Sequence, residues 1–119
     1  MFENVLKPTE YDCFYSDKIT SALKIIKNEK FDVLINDFNI NMVESNRFLE
    51  QIRSIDKIIE ILLIFEDDDI QISKILINYN IFSYFTRPIN IRKLVEVLHE
   101  INRINLNRLQ NNDIKENYL

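Results

Sequence analysis

The sequence predicts an α/β domain built on a parallel sheet. Short apolar segments alternate with segments whose apolar residues recur at helical spacing, and no repeat or linker divides the chain. Two of the apolar segments, FDVLIND (31–37) and IIEILLIFE (58–66), are apolar on both faces, as expected of strands covered by helices on each side. Strands that alternate with helices pair in parallel through right-handed crossovers. With 119 residues and 46% hydrophobic content, the chain can bury one such core.

The first half of the chain predicts two strands and two helices. YDCFY (11–15) is predicted as a short strand, and Ser16 and Asp17 after it are predicted to cap a helix. FDVLIND is the next strand, and after a polar turn SNRFLEQIRSI (45–55) is predicted as a helix. The residues expected to face the core are Ile19, Ala22, Leu23 and Ile26 on the first helix, and Phe48, Leu49 and Ile52 on the second.

The second half repeats this alternation and ends in a long helix. IIEILLIFE is a strand that runs into the acidic residues 66–69, and IFSYFT (81–86) is the last strand. The helix between them starts at Ile72, and because glycine is absent from the chain, Asn80 is expected to supply its left-handed stop. The last helix begins near Asn90 and keeps helical character to about Asn112. Its inward residues are predicted to be Ile91, Leu94, Val95, Leu98 and Ile101.

Composition excludes several classes of partner. A net charge of −4 and an isoelectric point near 5.0 do not attract nucleic acid or an anionic membrane. Cys13 is the only cysteine, which excludes an internal disulfide and favours a reduced, cytoplasmic setting. The start MFENVLKPTE lacks the apolar run of a signal peptide, and no later stretch is long enough to cross a bilayer. We therefore expect a cytoplasmic protein with no nucleic-acid or membrane partner.

Three charged residues follow the apolar runs that predict strands. Asp37 ends FDVLIND, Glu66 ends IIEILLIFE, and Arg87 follows IFSYFT directly. In an open parallel sheet, functional groups collect at the carboxyl ends of the strands. The three side chains are therefore predicted to lie on one edge of the sheet.

The order and spacing of these segments resemble the receiver domain of two-component response regulators, which has a flavodoxin-like fold. The resemblance covers residues 11–105 and leaves an irregular segment, 1–10, and a helical extension and tail, 106–119. FDVLIND is similar to the family's third strand, which implies that Asp37 is the phospho-acceptor position and that the Asn39 carbonyl lies near Mg²⁺. SYFTRP is similar to the fifth strand, which places Tyr84 at its aromatic switch position and Arg87 in place of a lysine.

The sequence departs from this family in ways that bear on chemistry. Before YDCFY there is no room for a full first strand with its metal-binding acidic pair, so the domain is predicted to be N-terminally truncated. The second strand, residues 2–6 or another chain could fill the vacant place. Phe65 stands where a hydroxyl residue is expected, and it cannot hydrogen-bond a phosphoryl oxygen. Because phosphoryl transfer depends on positioning and charge compensation, most of its rate should be lost. Arg87 is predicted to hold the Asp37 carboxylate through two parallel hydrogen bonds.

If the receiver has lost phosphoryl transfer, no metal or other cofactor is predicted. The alternative is a working, Mg²⁺-dependent phospho-acceptor modified on Asp37. In that case the lost metal oxygens beside Asp37 are replaced by Glu66 or Asp67, at the end of the neighbouring strand, or by Asp17 after the first predicted strand.

The predicted function is a degenerate receiver that is not an enzyme and acts in phosphorelay signalling as a docking or dimerisation module. Its expected partners are a histidine kinase or another signalling protein, and a second copy of the chain. The last helix suggests the dimer because apolar residues at 3-4-3 spacing continue beyond the domain body. The predicted interface consists of Leu94, Val97, Ile101, Ile104, Leu106 and Leu109. An unrelated flavodoxin-like binding protein is disfavoured because no glycine-rich phosphate loop is present.

Overall fold

The computed structural model describes the backbone of residues 14–118 and the side chains of residues 14–108. Within this range the chain forms four helices and three strands that alternate along the sequence. They are α1 (Ile19–Asn28), β1 (Val33–Asp37), α2 (Val43–Ile55), β2 (Glu60–Phe65), α3 (Ile72–Asn78), β3 (Ser83–Thr86) and α4 (Ile91–Tyr118). The predicted segment 1–10, the predicted strand at residues 2–6 and Cys13 lie outside the described residues.

The three described strands form one parallel sheet in the order β1-β2-β3. Asp37 pairs with Ile64, and Phe65 pairs with Thr86, so all three strands end at the same edge. This arrangement confirms the predicted α/β class and parallel sheet. It also brings the residues that follow each strand close together.

The core lies on the sheet face that α1, α2 and α3 cover. Ile59, just before β2, and every second residue of β2 after it face this core. The predicted inward residues of α2 are all buried in it. The fully covered side chains of this core include Leu49, Ile52, Ile61 and Leu63. Burying a side chain of this size contributes roughly 1.5–3 kcal/mol. Leu62 and Ile64, on the opposite face of β2, are buried as well, so the prediction of a two-faced strand is confirmed for β2.

The prediction for β1 needs correction, because this strand is only half-buried. The first four residues of β1 are partly exposed and Asp37 is exposed. Among the described strands β1 is, like β3, an outer strand with a pairing partner on one side only. The outer position of β1 in the described sheet therefore leaves FDVLIND less buried than its apolar residues predict.

Two predictions for the start of the described chain are wrong. Phe14 and Tyr15 belong to no strand and are exposed, whereas residues 11–13 of the predicted strand lie outside the described range. The helix cap is Lys18, with no side-chain capping bond, instead of Ser16 or Asp17. Ser16 lies two residues before the capping position. Its hydroxyl donates to the Lys18 carbonyl oxygen at 2.9 Å.

The predicted stop of α3 at Asn80 is confirmed. Asn80 has a φ of 54°, which is left-handed backbone. The Ile81 amide donates to the Leu76 carbonyl at 2.9 Å, and the Asn80 amide donates to the Ile77 carbonyl at 3.4 Å. This pair of bonds is a Schellman motif, and asparagine tolerates the left-handed position better than most residues.

The helix α4 belongs to a separate compact unit that begins at Asn90. The Asn90 side chain caps it by accepting from the Lys93 amide at 3.2 Å, as predicted for a start near this residue. With 28 residues the helix continues beyond the predicted end at Asn112, to Tyr118, and it is about 42 Å long. None of the helices in the described range is long and apolar enough to cross a membrane.

The predicted interface on α4 is smaller than expected. Leu94 and Ile101 are 0% and 1% exposed in a single chain, which leaves them no surface for a partner. Val97 and Ile104 are half-buried, and Leu106 is 52% exposed. Leu109 lies outside the described side chains. That a second chain binds to Val97, Ile104 and Leu106 stays a prediction.

Candidate functional site

The candidate site lies at the carboxyl edge of the sheet, where the three strands end together. Asp37 is the last residue of β1, Glu66 follows β2 and Arg87 follows β3. The Arg87 amide donates to the Phe65 carbonyl at 3.0 Å, which continues the β2–β3 pairing by one residue. The parallel register therefore brings together the three charged residues that the sequence predicted for one edge.

Arg87 bridges the two carboxylates of this edge. Its Nη2 donates to Asp37 Oδ2 at 2.7 Å, and its Nη1 donates to Glu66 Oε2 at 3.5 Å. The prediction of a cation opposite Asp37 is confirmed, whereas the prediction of two parallel bonds to Asp37 is wrong. The physical reason is the strand order: β2 lies between β1 and β3, so Glu66 offers a second anion to the same guanidinium.

These ion pairs are at the surface. The side chains of Arg87, Asp37 and Glu66 are 42%, 62% and 79% exposed. Exposed pairs of this kind contribute about 0.2–1 kcal/mol each and weaken with salt. The bridge therefore sets the orientation of the charged groups more than it stabilises the fold.

Asn39 organises the turn that follows Asp37. Its carbonyl accepts from the Met42 amide at 3.1 Å, and its side-chain Oδ1 accepts from the Asn41 amide at 3.0 Å. The Asn39 amide in turn donates to Ser45 Oγ at 3.2 Å. The carbonyl that the resemblance assigns to Mg²⁺ is thus already an acceptor in a turn, with one lone pair left.

Phe65 and Tyr84 form an aromatic cluster with Phe38 beneath the site. The Phe65 ring is 1% exposed and makes edge-to-face contacts with Phe38 at 5.4 Å and with Tyr84 at 5.8 Å between centroids. The Tyr84 hydroxyl donates to Asp68 Oδ1 at 3.4 Å. An apolar ring therefore occupies the place expected for a hydroxyl, and Tyr84 is held on one side by Phe65 and at its tip by Asp68.

Comparison with known protein families shows which family the chain belongs to. Residues 1–99 match the family model described as the response regulator receiver domain. The chain belongs to this family. The match confirms the family that the resemblance of FDVLIND and SYFTRP implied. The phospho-acceptor position of Asp37 stays a prediction.

Solved receiver structures share the fold. The chemotaxis protein CheY4 of Vibrio cholerae is 20% identical, with a TM-score of 0.73 over 84% of this chain and 85% of that one. A CheY-like receiver domain protein from Methanospirillum hungatei is 19% identical, with a TM-score of 0.73 over 85% and 82% of the two chains. The HemR receiver domain of Leptospira biflexa is 14% identical, with a TM-score of 0.72 over 84% and 81%. At these identities the likeness shows the flavodoxin-like fold alone. No curated protein sequence matches the chain significantly.

The described residues of this receiver do not form a donor set that fits Mg²⁺. Magnesium requires a near-octahedral set of oxygen ligands. Two of the candidate ligands, Asp37 and Glu66, instead contact the Arg87 guanidinium. Within the described part of the chain no three His, Cys, Asp or Glu side chains lie close enough together to hold a metal ion, which includes Asp67. The expectation that this receiver uses no cofactor stays a prediction.

Sequence reasoning missed three contacts of this site. They are the Glu66–Arg87 pair, the Asp68–Tyr84 hydrogen bond and the Ser45–Asn39 bond. Only the first had a signal in the sequence, because a residue after the central strand of a parallel sheet lies between the ends of its two neighbours. The other two depend on loop conformations that apolar spacing does not report.

Proposed function

We propose that this receiver is a degenerate, cytoplasmic signalling module whose Asp37 holds the structure of its edge and is not efficiently phosphorylated. The observation that carries the proposal is the bridge of Arg87 to both Asp37 and Glu66. The module has no enzymatic activity of its own in this proposal. It acts by docking onto a signalling protein, such as a histidine kinase, or onto a second copy of itself.

The electrostatics of the edge support this proposal. A carboxylate attacks a phosphodonor through one of its oxygens, and the incoming phosphoryl group must meet positive charge. Asp37 Oδ2 already accepts from Arg87. The four residues that follow β2 directly, 66–69, all carry carboxylates. An anionic donor would thus approach an acidic edge whose one neighbouring guanidinium is occupied.

The surface beside the site supports docking. Ile70, two residues before α3, and Ile77, near the end of α3, are 95% and 80% exposed. Tyr84 on β3 is also partly exposed. Exposed apolar side chains mark a protein contact when they form one continuous patch. The docking surface we propose is formed by α3, the turn before it and β3.

The test of the chemistry is incubation with acetyl phosphate or beryllofluoride in the presence of Mg²⁺. We expect the wild type to carry no more adduct than Asp37→Asn, because the described residues of the edge do not supply the charge compensation that the reaction requires. Intact-protein mass spectrometry measures the phosphoryl adduct, and fluorine NMR measures the beryllofluoride adduct. A stable Mg²⁺-dependent adduct that disappears in Asp37→Asn would support the alternative, a functional phospho-acceptor. The exposure of Asp37 is the observation that favours this alternative.

The test of self-association is sedimentation velocity of the full chain over a range of concentrations. We expect a dimer that Ile77→Glu or Leu106→Glu weakens at least about tenfold, because each places a charge in a desolvated apolar contact. Gln51→Glu, an exposed position on α2 outside the proposed surface, introduces the same charge as a matched control and should associate like the wild type. A wild type that is monomeric at every concentration would refute the dimer and leave docking onto another protein.

A further inference from the structure

The guanidinium fork of Arg87 is divided between two carboxylates. Nη2 is 2.7 Å from Asp37 Oδ2, and Nη1 is 3.5 Å from Glu66 Oε2. A guanidinium recognises a carboxylate or phosphoryl group best when two parallel N–H donors reach the same anion. In this chain the second donor is directed at the end of the neighbouring strand, so Arg87 cannot offer its whole fork to one anion.

We infer that Glu66 is a positioning residue: it sets the orientation of Arg87 and occupies the donor that an anion bound at Asp37 would need. This inference rests on the proposed function, in which Asp37 is held and not phosphorylated, and it adds the residue that keeps the edge in that state. Glu66 follows the central strand, whereas Asp37 and Arg87 belong to the strands on either side of it. An anion at position 66 therefore lies between the strand ends that carry Asp37 and Arg87, within 3.5 Å of the guanidinium.

Exposure determines the size and the kind of effect. Glu66 is 79% exposed, and exposed ion pairs are screened by water. Removing its charge should therefore leave the fold intact and change only the freedom of the Arg87 side chain. A general effect of negative charge is the competing explanation, since Asp67 follows directly and carries the same charge.

The test is nitrogen-15 NMR of the Arg87 guanidinium in the full chain, with its signals assigned from Arg87→Lys. In Glu66→Gln and Glu66→Ala we expect the Nη protons of Arg87 to exchange with water about two- to fivefold faster than in the wild type, as the loss of one exposed charge-assisted bond implies. Asp67→Asn, the matched neutralisation, should change the rate by less than about 1.5-fold. Equal rates in the wild type and both Glu66 variants, or the same acceleration in Asp67→Asn, would overturn the inference.

The beryllofluoride experiment separates this inference from the proposed function. A wild-type adduct that is lost in Asp37→Asn overturns the proposed function and does not depend on Glu66. The exchange rates of Arg87 decide the role of Glu66 whether or not an adduct forms. The two claims can therefore fail independently.

Discussion

Replacing Arg53 with methionine is expected to lower the free energy of unfolding by about 3 kcal/mol, because one side chain holds four backbone carbonyls. Its Nε donates to the Tyr79 carbonyl at 2.7 Å and its Nη2 to the Asn80 carbonyl at 2.8 Å. Its Nη1 donates to the carbonyls of Ile59 at 2.7 Å and Asp56 at 3.4 Å. A single guanidinium thus joins the end of α2, the start of β2 and the end of α3.

The environment of Arg53 explains why the loss should be large. Burial lowers the pKa of Arg53, and the nearby carboxylates of Glu60 and Asp56 raise it in part. An arginine stays charged at every accessible pH despite such a shift. Removing it would leave partly buried carbonyls without donors, and each unpaired group costs about 1–3 kcal/mol. Methionine retains much of the apolar stem, so the change isolates the guanidinium.

Urea unfolding measures this prediction through the midpoint and the slope of the transition. Arg53→Lys should lose nearly as much as Arg53→Met, since a compact ammonium group cannot span acceptors on three elements. Arg47→Met, on the exposed side of the same helix, is the control and should stay within about 0.5 kcal/mol of the wild type. If Arg53→Met and Arg47→Met unfold at the same urea concentration, Arg53 does not hold these elements together.

The periodicity of apolar residues was sufficient to predict the described strands and helices. FDVLIND, IIEILLIFE and IFSYFT each contain the strand predicted there, with ends shifted by one or two residues. Asn80 was predicted correctly because a left-handed stop in a chain without glycine leaves few residue types. These features depend on the local spacing and type of residues, which a sequence displays directly.

The contacts of charged side chains were harder to predict. Arg53 bonds to carbonyls 26 and 27 residues away, and nothing in its local sequence indicates which turns approach it. Asp37 and Arg87 are 50 residues apart, and their pairing was predictable only because parallel strands end at one edge. The division of the Arg87 fork depended on the strand order, which apolar spacing does not contain.

Replacing Phe65 with threonine is expected to lower the free energy of unfolding by about 3–4 kcal/mol, although it introduces the hydroxyl that the resemblance to receivers predicts for this position. The Phe65 ring is fully buried and packs edge-to-face on Phe38 and Tyr84. Losing the ring removes these contacts and leaves a cavity that the surrounding core can fill only partly.

Phe65→Val is the matched control, because valine and threonine have the same shape and differ in the hydroxyl. Both variants should lose the energy of the ring, and threonine should lose about 1 kcal/mol more if its hydroxyl is buried without a partner. Chemical unfolding of both variants measures the difference. A Phe65→Thr variant as stable as the wild type would show that the pocket accommodates a hydroxyl, which contradicts the packing described for Phe65.

The same variant tests whether the hydroxyl alone limits the chemistry. Phe65→Thr should take up no more beryllofluoride than the wild type, because Arg87 still occupies Asp37 and the described residues still provide no metal site. An adduct in Phe65→Thr that is absent from Phe65→Val would mean that the missing hydroxyl was the main defect. If neither variant forms an adduct, the hydroxyl alone is not sufficient for uptake, as we expect while Arg87 remains bound to Asp37.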